Sequence, residues 1–280
     1  MKNIINTSYS QERSLYAIKD SYLENVSFVK GEEDGESPLK ECDNIKLEKC
    51  YFDLRYPLWH DNGVEIANTE FTVNSRAALW YSNNITINKS KLHGIKALRE
   101  CSDIKITNSD IISPEFMWRD TNIKIDNCSV EGEYAFFECR ALEINHLTFK
   151  GKYSFQYVVD MNLSNSELDT KDAFWHTKNV TVRNCVLKGE YLAWYSENLT
   201  LIDCEIISHQ PLCYCKNLKL INCKMKECDL AFEYSEVAAS IIGSIKSIKN
   251  PKSGTITVDK VEEIITEQDK YQGKGKIIIR

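Results

Sequence analysis

A unit of nineteen residues recurs along this chain, and a fixed short period limits the possible folds more than any other sequence feature. Ala78-Leu79-Trp80-Tyr81-Ser82-Asn83-Asn84-Ile85-Thr86-Ile87-Asn88 is followed by Ala97-Leu98-Arg99-Glu100-Cys101-Ser102-Asp103-Ile104-Lys105-Ile106-Thr107 and then by Phe116-Met117-Trp118-Arg119-Asp120-Thr121-Asn122-Ile123-Lys124-Ile125-Asp126. The first apolar residue of the triplet Ile85-Thr86-Ile87 serves as a register mark. The marks are Ile45, Val64, Ile85, Ile104, Ile123, Leu142, Met161, Val180, Leu199 and Leu218. Every step is nineteen except the twenty-one between Val64 and Ile85. Val237 and Ile256 continue the series with weaker matches.

Within each unit, apolar residues alternate with polar ones in short runs broken by turns, which is strand periodicity. Helical repeats such as ankyrin are longer, and the leucine-rich spacing does not fit. Each unit therefore reads as one rung of a β-solenoid. Three columns are apolar throughout: the position six before the mark (Leu58, Leu79, Leu98, Met117, Phe136), two after it (Ile66, Ile87, Ile106, Ile125) and seven after it (Phe52, Phe71, Leu92, Ile111). They are expected to face inward and to stack at the strand spacing of roughly 4.8 Å, giving about 60 Å in all. No single rung could bury such a face alone. Four after the mark, Asn68, Asn108, Asn127, Asn165, Asn184 and Asn222 mark a corner, because Asn tolerates left-handed backbone. Asn84, Asn122, Asn179, Asn198 and Asn217 mark a second corner.

The expected fold is all-β: a single-stranded right-handed parallel β-helix of about twelve nineteen-residue rungs, capped at both ends. It forms one domain over 1–280, with an N-terminal cap and partial rung in 1–36, regular rungs in 37–261 and a C-terminal cap or tail in 262–280. Gly31 to Glu36 reads as a solvated acidic loop. The 280 residues carry a net charge of −6 and no basic block, which argues against a nucleic-acid partner. No run is long and apolar enough for a membrane span, and no signal-peptide core follows Met1. Eleven Cys are present, five of them in the column five after the mark: Cys50, Cys128, Cys185, Cys204 and Cys223. They read as small core side chains in a reducing cytoplasm, with no metal and no cofactor.

One strip departs from plain architecture. All five Trp (Trp59, Trp80, Trp118, Trp175 and Trp194) fall five before the mark, in a column that Arg99 and Gln156 interrupt. The next column holds His60, Tyr81, Glu100, Arg119, Glu138, Tyr157, His176, Tyr195 and Tyr214, and Asp120 follows Arg119. Nothing in the repeat demands Trp, since Lys40 and Gln156 fill the same place. A row of aromatic and ionisable groups suits sugar rings. Trp59, His60, Trp80, Tyr81, Arg99, Trp118, Asp120, Gln156, Trp175, His176, Trp194 and Tyr195 are the candidate ligand-binding residues. Glu100, Arg119 and Glu138 are the candidate catalytic group, since glycan chemistry uses paired carboxylates. The alternative for those three is an ion-pair ladder.

The repeated unit Ala78-Leu79-Trp80-Tyr81-Ser82 through Asn88, with Gly35-Glu36-Ser37-Pro38-Leu39-Lys40-Glu41 at its start, resembles a mostly bacterial β-helix family of unknown function (the DUF3737 type) over essentially the whole chain. The resemblance implies a pectin-lyase-like right-handed parallel β-helix and no assigned activity. Three functions follow as expectations. The first is a carbohydrate- or sugar-conjugate-binding solenoid, its partner an oligosaccharide. The second is a glycoside hydrolase or polysaccharide lyase centred on Glu100, Arg119 and Glu138. The third is a non-enzymatic scaffold whose Trp strip is a protein interface, including one between copies of this chain.

Overall fold

The computed structural model describes residues 1–32, 34–267 and 273–280. Glu33 of the acidic loop and residues 268–272 of the C-terminal tail lie outside the described residues. Among the described residues the structure is a parallel β-solenoid without helix, of about fourteen turns rather than twelve. It divides into two compact units, Met1–Ala141 and Leu142–Arg280.

In the first unit, Ile45 pairs with Val64, Val64 with Ile85, Ile85 with Ile104 and Ile104 with Ile123, all in parallel. The turns begin earlier than the repeat suggested. Lys2–Tyr9 already pairs with Lys19–Phe28, placing Ile4 beside Leu23 and Tyr9 beside Phe28. Leu39, Leu58, Leu79, Leu98 and Met117 are fully buried, as are Ile87, Ile106 and Leu92. Phe28, Phe52 and Phe71 form a continuous stack with centroids 4.7 and 4.5 Å apart. Each such contact adds roughly 0.5–1.5 kcal/mol beyond area burial.

In the second unit the register runs Met161, Val180, Leu199 by direct pairing, and Leu218 faces Val237. Val237 then faces Gly254, while Ile256 faces Ala239. Ile256 is therefore not the register mark; it fills the inward position two places later. The turn that contains Asn250 and Pro251 is shorter than nineteen residues, and the apolar residue follows the core rather than the count. Lys276–Ile279 pairs with Ser253–Ile265 and starts a further turn.

The corners behave as the Asn columns predict. Asn84, Asn108, Asn122, Asn127, Asn179 and Asn198 all have φ between 52° and 56°. Their amides bridge turns: Asn127 Nδ2 donates to Asn108 Oδ1 at 2.8 Å, and Asn198 Nδ2 to Asn179 Oδ1 at 2.9 Å. Bulkier residues share this backbone. Leu79, Tyr81, Met117 and Arg119 also have positive φ. Left-handed residues alternate here with extended ones, so successive N–H groups point to opposite neighbours: Leu79 donates back to Pro57 and Tyr81 forward to Arg99. The inter-turn hydrogen bonds offset the steric cost of left-handed backbone. Simple in–out alternation is lost at this corner. Leu79 and Ser82 are buried, and the two residues between them, Trp80 and Tyr81, both face outward and are half-buried.

Candidate functional site: an aromatic strip at one corner

In the first unit, Trp59 and Trp80 stack at 5.0 Å, 6° from parallel. The Arg99 guanidinium lies between the next two indoles, 4.5 Å from the Trp80 centroid and 4.6 Å from Trp118. A cation over indole faces is a favourable contact, so Arg99 continues the stack instead of breaking it. Its Nη2 donates to Glu115 Oε2 at 3.0 Å. In the second unit, Trp175 and Trp194 stack at 5.3 Å.

Every indole N–H is used. Trp59 donates to the Ala77 carbonyl, Trp80 to Lys96, Trp118 to Tyr134, Trp175 to Tyr191 and Trp194 to Gln210, at 2.6–2.8 Å. Each acceptor belongs to a residue with positive φ. Gln156 does the same with its amide, Nε2 to the Asp172 carbonyl at 3.1 Å. The Trp and Gln of this column therefore share a structural role that the repeat alone did not reveal: a flat side chain whose N–H reaches the next turn, a role that Lys40, Phe137 and Cys213 of the same column do not play.

The neighbouring column is more open. In the first unit His60 stacks on Tyr81 at 5.0 Å. Arg119 Nε donates to Glu138 Oε2 at 2.7 Å, and its Nη1 lies 3.7 Å from Glu100 Oε1. The hydrogen bond to Glu138 and the charge of Glu100 hold the guanidinium pKa up. In the second unit, Tyr157, His176, Tyr195 and Tyr214 form a ladder with centroids 4.9, 4.9 and 4.8 Å apart. Tyr157 and Tyr195 are each 45% exposed. Partial burial lowers the His176 pKa and favours the neutral ring; it also raises Tyr214 to about 12.

Asp120 does not belong to the strip. It is fully buried, pointing into the solenoid, and its Oδ1 accepts the Cys101 backbone N–H at 2.7 Å. Asp61 sits alike, accepting from Cys42 at 2.7 Å. The second oxygen of each lacks a hydrogen-bond partner among the described residues. Burial raises both carboxyls, Asp61 to about 8 and Asp120 well above its ordinary value. The reason lies in the corner geometry: after two consecutive outward residues the chain turns back in, so the third is interior. The same interior column holds Ser82, Cys101, Thr177 and Ser196.

The strip thus gathers Trp59, His60, Trp80, Tyr81, Arg99, Glu100, Trp118, Arg119 and Glu138 in the first unit. In the second it gathers Gln156, Trp175, His176, Trp194 and Tyr195. Chemically it offers ring edges, phenol hydroxyls, imidazole nitrogens and one bridged ion-pair group. The eleven cysteines are all buried and unbridged.

No curated protein matches the chain. Among solved structures it is similar to PfbA, a surface adhesin of Streptococcus pneumoniae, at 10% identity and TM-score 0.30, covering 95% of this chain and 74% of that one. It is similar to the A-module of the Azotobacter vinelandii mannuronan C-5 epimerase AlgE6 at 9% identity and TM-score 0.37, covering 98% and 87%. QnrB1, a plasmid-mediated fluoroquinolone resistance protein, matches at 13% identity and TM-score 0.24, covering 85% and 90%. The family model described as "Protein of unknown function (DUF3737)" matches residues 2–279, and with that near-complete span the chain belongs to the DUF3737 family.

Proposed function

We propose that this protein is a non-catalytic carbohydrate-binding β-helix whose ligand, an oligosaccharide or sugar conjugate, lies along the strip. The observation that carries this reading is the ladder Tyr157–His176–Tyr195–Tyr214. Its rings repeat every 4.8–4.9 Å, and Tyr157 and Tyr195 are each 45% exposed. A ribbed row of hydroxyls and imidazole nitrogens suits a chain of sugar hydroxyls, with ring edges against C–H groups. Catalysis at Glu100 and Glu138 has less support, since Arg119 contacts both carboxylates and holds them as ion pairs. Eleven unbridged thiols support a reducing compartment, the cytoplasm, as the location.

One observation favours the scaffold reading as the second choice. Trp59 stacks on Trp80, Trp175 on Trp194, and Trp118 lies against the Arg99 guanidinium, so these faces are occupied and cannot each take a sugar ring. A glycan array with the purified protein, repeated with Tyr157→Ser and Tyr195→Ser, tests the first reading. Binding that both variants weaken supports it. An absence of glycan binding, together with a self-association in sedimentation that the same variants abolish, overturns it in favour of an interface between copies.

A further inference from the structure

Two turns of the first unit exceed nineteen residues. Phe28 pairs with Phe52, twenty-four residues on, and Phe71 with Leu92, twenty-one on, while Phe52 pairs with Phe71 at the regular interval. The surplus falls at one corner, in the described residues 29–32, 34–36 and 72–76, on either side of the regular turn that carries 53–56. Two oversized loops flanking a short one leave a hollow between them. The cavity measures about 570 Å³ and is lined by Lys30, Asp53, Arg55, Tyr56, Asn74 and Arg76 among others.

Its walls are held in place. Arg55 Nε donates to Glu36 at 2.5 Å and Nη2 to Asp34 at 3.0 Å. These are the carboxylates of the loop expected to be merely solvated, and they consume the charge of Arg55. The Tyr56 N–H donates to the Arg76 carbonyl at 2.9 Å. Asp53 Oδ1 accepts from both Thr72 Oγ1 and Asn74 Nδ2. Gly35 lies so close to the first turn that a Cβ would meet the Ser10 carbonyl oxygen at 2.1 Å.

Two cations stay uncommitted. Lys30 and Arg76 are exposed and have no acidic partner among the described residues. The Arg76 guanidinium stands 6.0 Å from the Tyr56 ring centroid. Lys30, Arg55 and Arg76 line the hollow against the two carboxylates Asp34 and Asp53, and in a chain of net charge −6 the unpaired guanidinium and ammonium are the groups in it open to an anion. The aliphatic side of the cavity comes from Val73, 73% exposed, and Ile95.

We propose that this cavity binds a small polyhydroxylated anion: a sugar carrying a phosphate or carboxylate group. Lys30 and Arg76 would take the anion, Arg76 through its paired N–H groups. The second oxygen of Asp53 would accept a sugar hydroxyl, and the Tyr56 ring with Val73 would cover the C–H face. The volume falls within the range of roughly 300–1,000 Å³ typical of small-molecule sites. The site borders the first unit's strip, with the Tyr56 ring 5.4 Å from Trp59, but it shares no residue with the strip and does not rest on the strip binding a glycan.

Isothermal titration of the full chain with glucose 6-phosphate, glucuronate, glucose and inorganic phosphate tests the proposal. At least one anionic sugar should bind, and glucose at least about tenfold more weakly; the better of the two identifies the anion. Lys30→Ala and Arg76→Ala should each weaken binding by about tenfold or more, with thermal unfolding unchanged because both side chains are exposed. Tyr195→Ser should leave this affinity unaltered, which separates it from any failure of the strip. Equal binding of glucose, equal binding of inorganic phosphate, no binding of either anionic sugar at millimolar concentration, or full affinity in Arg76→Ala would each overturn it.

Discussion

Trp175 and Trp194 stack face to face, 5.3 Å between centroids and 2° from parallel, each with its N–H committed to a backbone carbonyl of the following turn. Their exposed edges form part of the strip, while their faces and N–H groups hold neighbouring turns together. Structural support is thus built into the same column that is proposed to meet the ligand.

Trp194→Ala is accordingly expected to destabilise the protein by about 3 kcal/mol, through lost packing, the lost stack and an orphaned Gln210 carbonyl. Trp194→Phe keeps most of the stack and gives up the hydrogen bond, for about 1 kcal/mol. Urea unfolding checks both; a Trp194→Ala variant as stable as the parent would mean that the column serves binding alone.

Asn198 has φ 55°, donates to Asn179 and accepts from Asn217. Asn198→Ala should cost about 2 kcal/mol, since it loses both amide contacts, which offset the steric cost of a Cβ on left-handed backbone. Asn198→Gly loses the same contacts without that steric term. It should lie closer to the parent in chemical denaturation, and an equal loss in both variants would remove the backbone argument.

The interior carboxyls predict a pH dependence. Asp61 and Asp120 have folded-state pKa values raised by burial, Asp61 to about 8, against about 4 in the unfolded chain. Between these values the folded state binds more protons, so stability falls as pH rises and the loss is complete above the folded pKa. Asp61→Asn mimics the protonated acid. It should unfold at nearly the parent temperature near pH 4 and at a higher one near pH 9, by an amount on the order of a few kcal/mol. Parallel pH profiles for the two proteins would show that Asp61 ionises freely.

All eleven thiols are buried, and desolvation pushes most of them up: Cys42 and Cys185 to about 12, Cys50 to about 11. Their Sγ atoms donate to carbonyls, as Cys215 does to Ala193 at 3.0 Å. Thiolate, the reactive form, is therefore scarce at these thiols in the folded state; Cys204 is the exception, its pKa lowered to about 7 by its hydrogen bond with the Cys223 thiol. Labelling at neutral pH should be slow in buffer and reach eleven thiols in denaturant. Fast labelling of several thiols in the native protein would contradict the burial.

The inward columns and both Asn corners were legible because they repeat. A Leu or Ile every nineteen residues has no other way to be buried, and an Asn at a fixed offset points to a left-handed corner. The strip was visible as composition, yet its meaning was not. Trp80, Arg99 and Gln156 look unlike one another as letters, and only the distance from each side chain to the next turn shows what they share. Asp120 was grouped with the strip because it follows Arg119 in sequence, and the corner backbone turns it inward.

Periodicity along the chain determined that this protein is a stack of equivalent strands with a Leu, Ile and Phe interior, since a repeated apolar pattern can be satisfied only by its own neighbours. The tertiary structure decided what happens where the period is broken or bent. It placed two acids inside the solenoid and turned the indole faces toward one another. It also opened a hollow beside Arg76 where loops of unequal length meet. Such features depend on side chains from different turns meeting in space, and their separations are set by backbone φ at the corners rather than by residue identity.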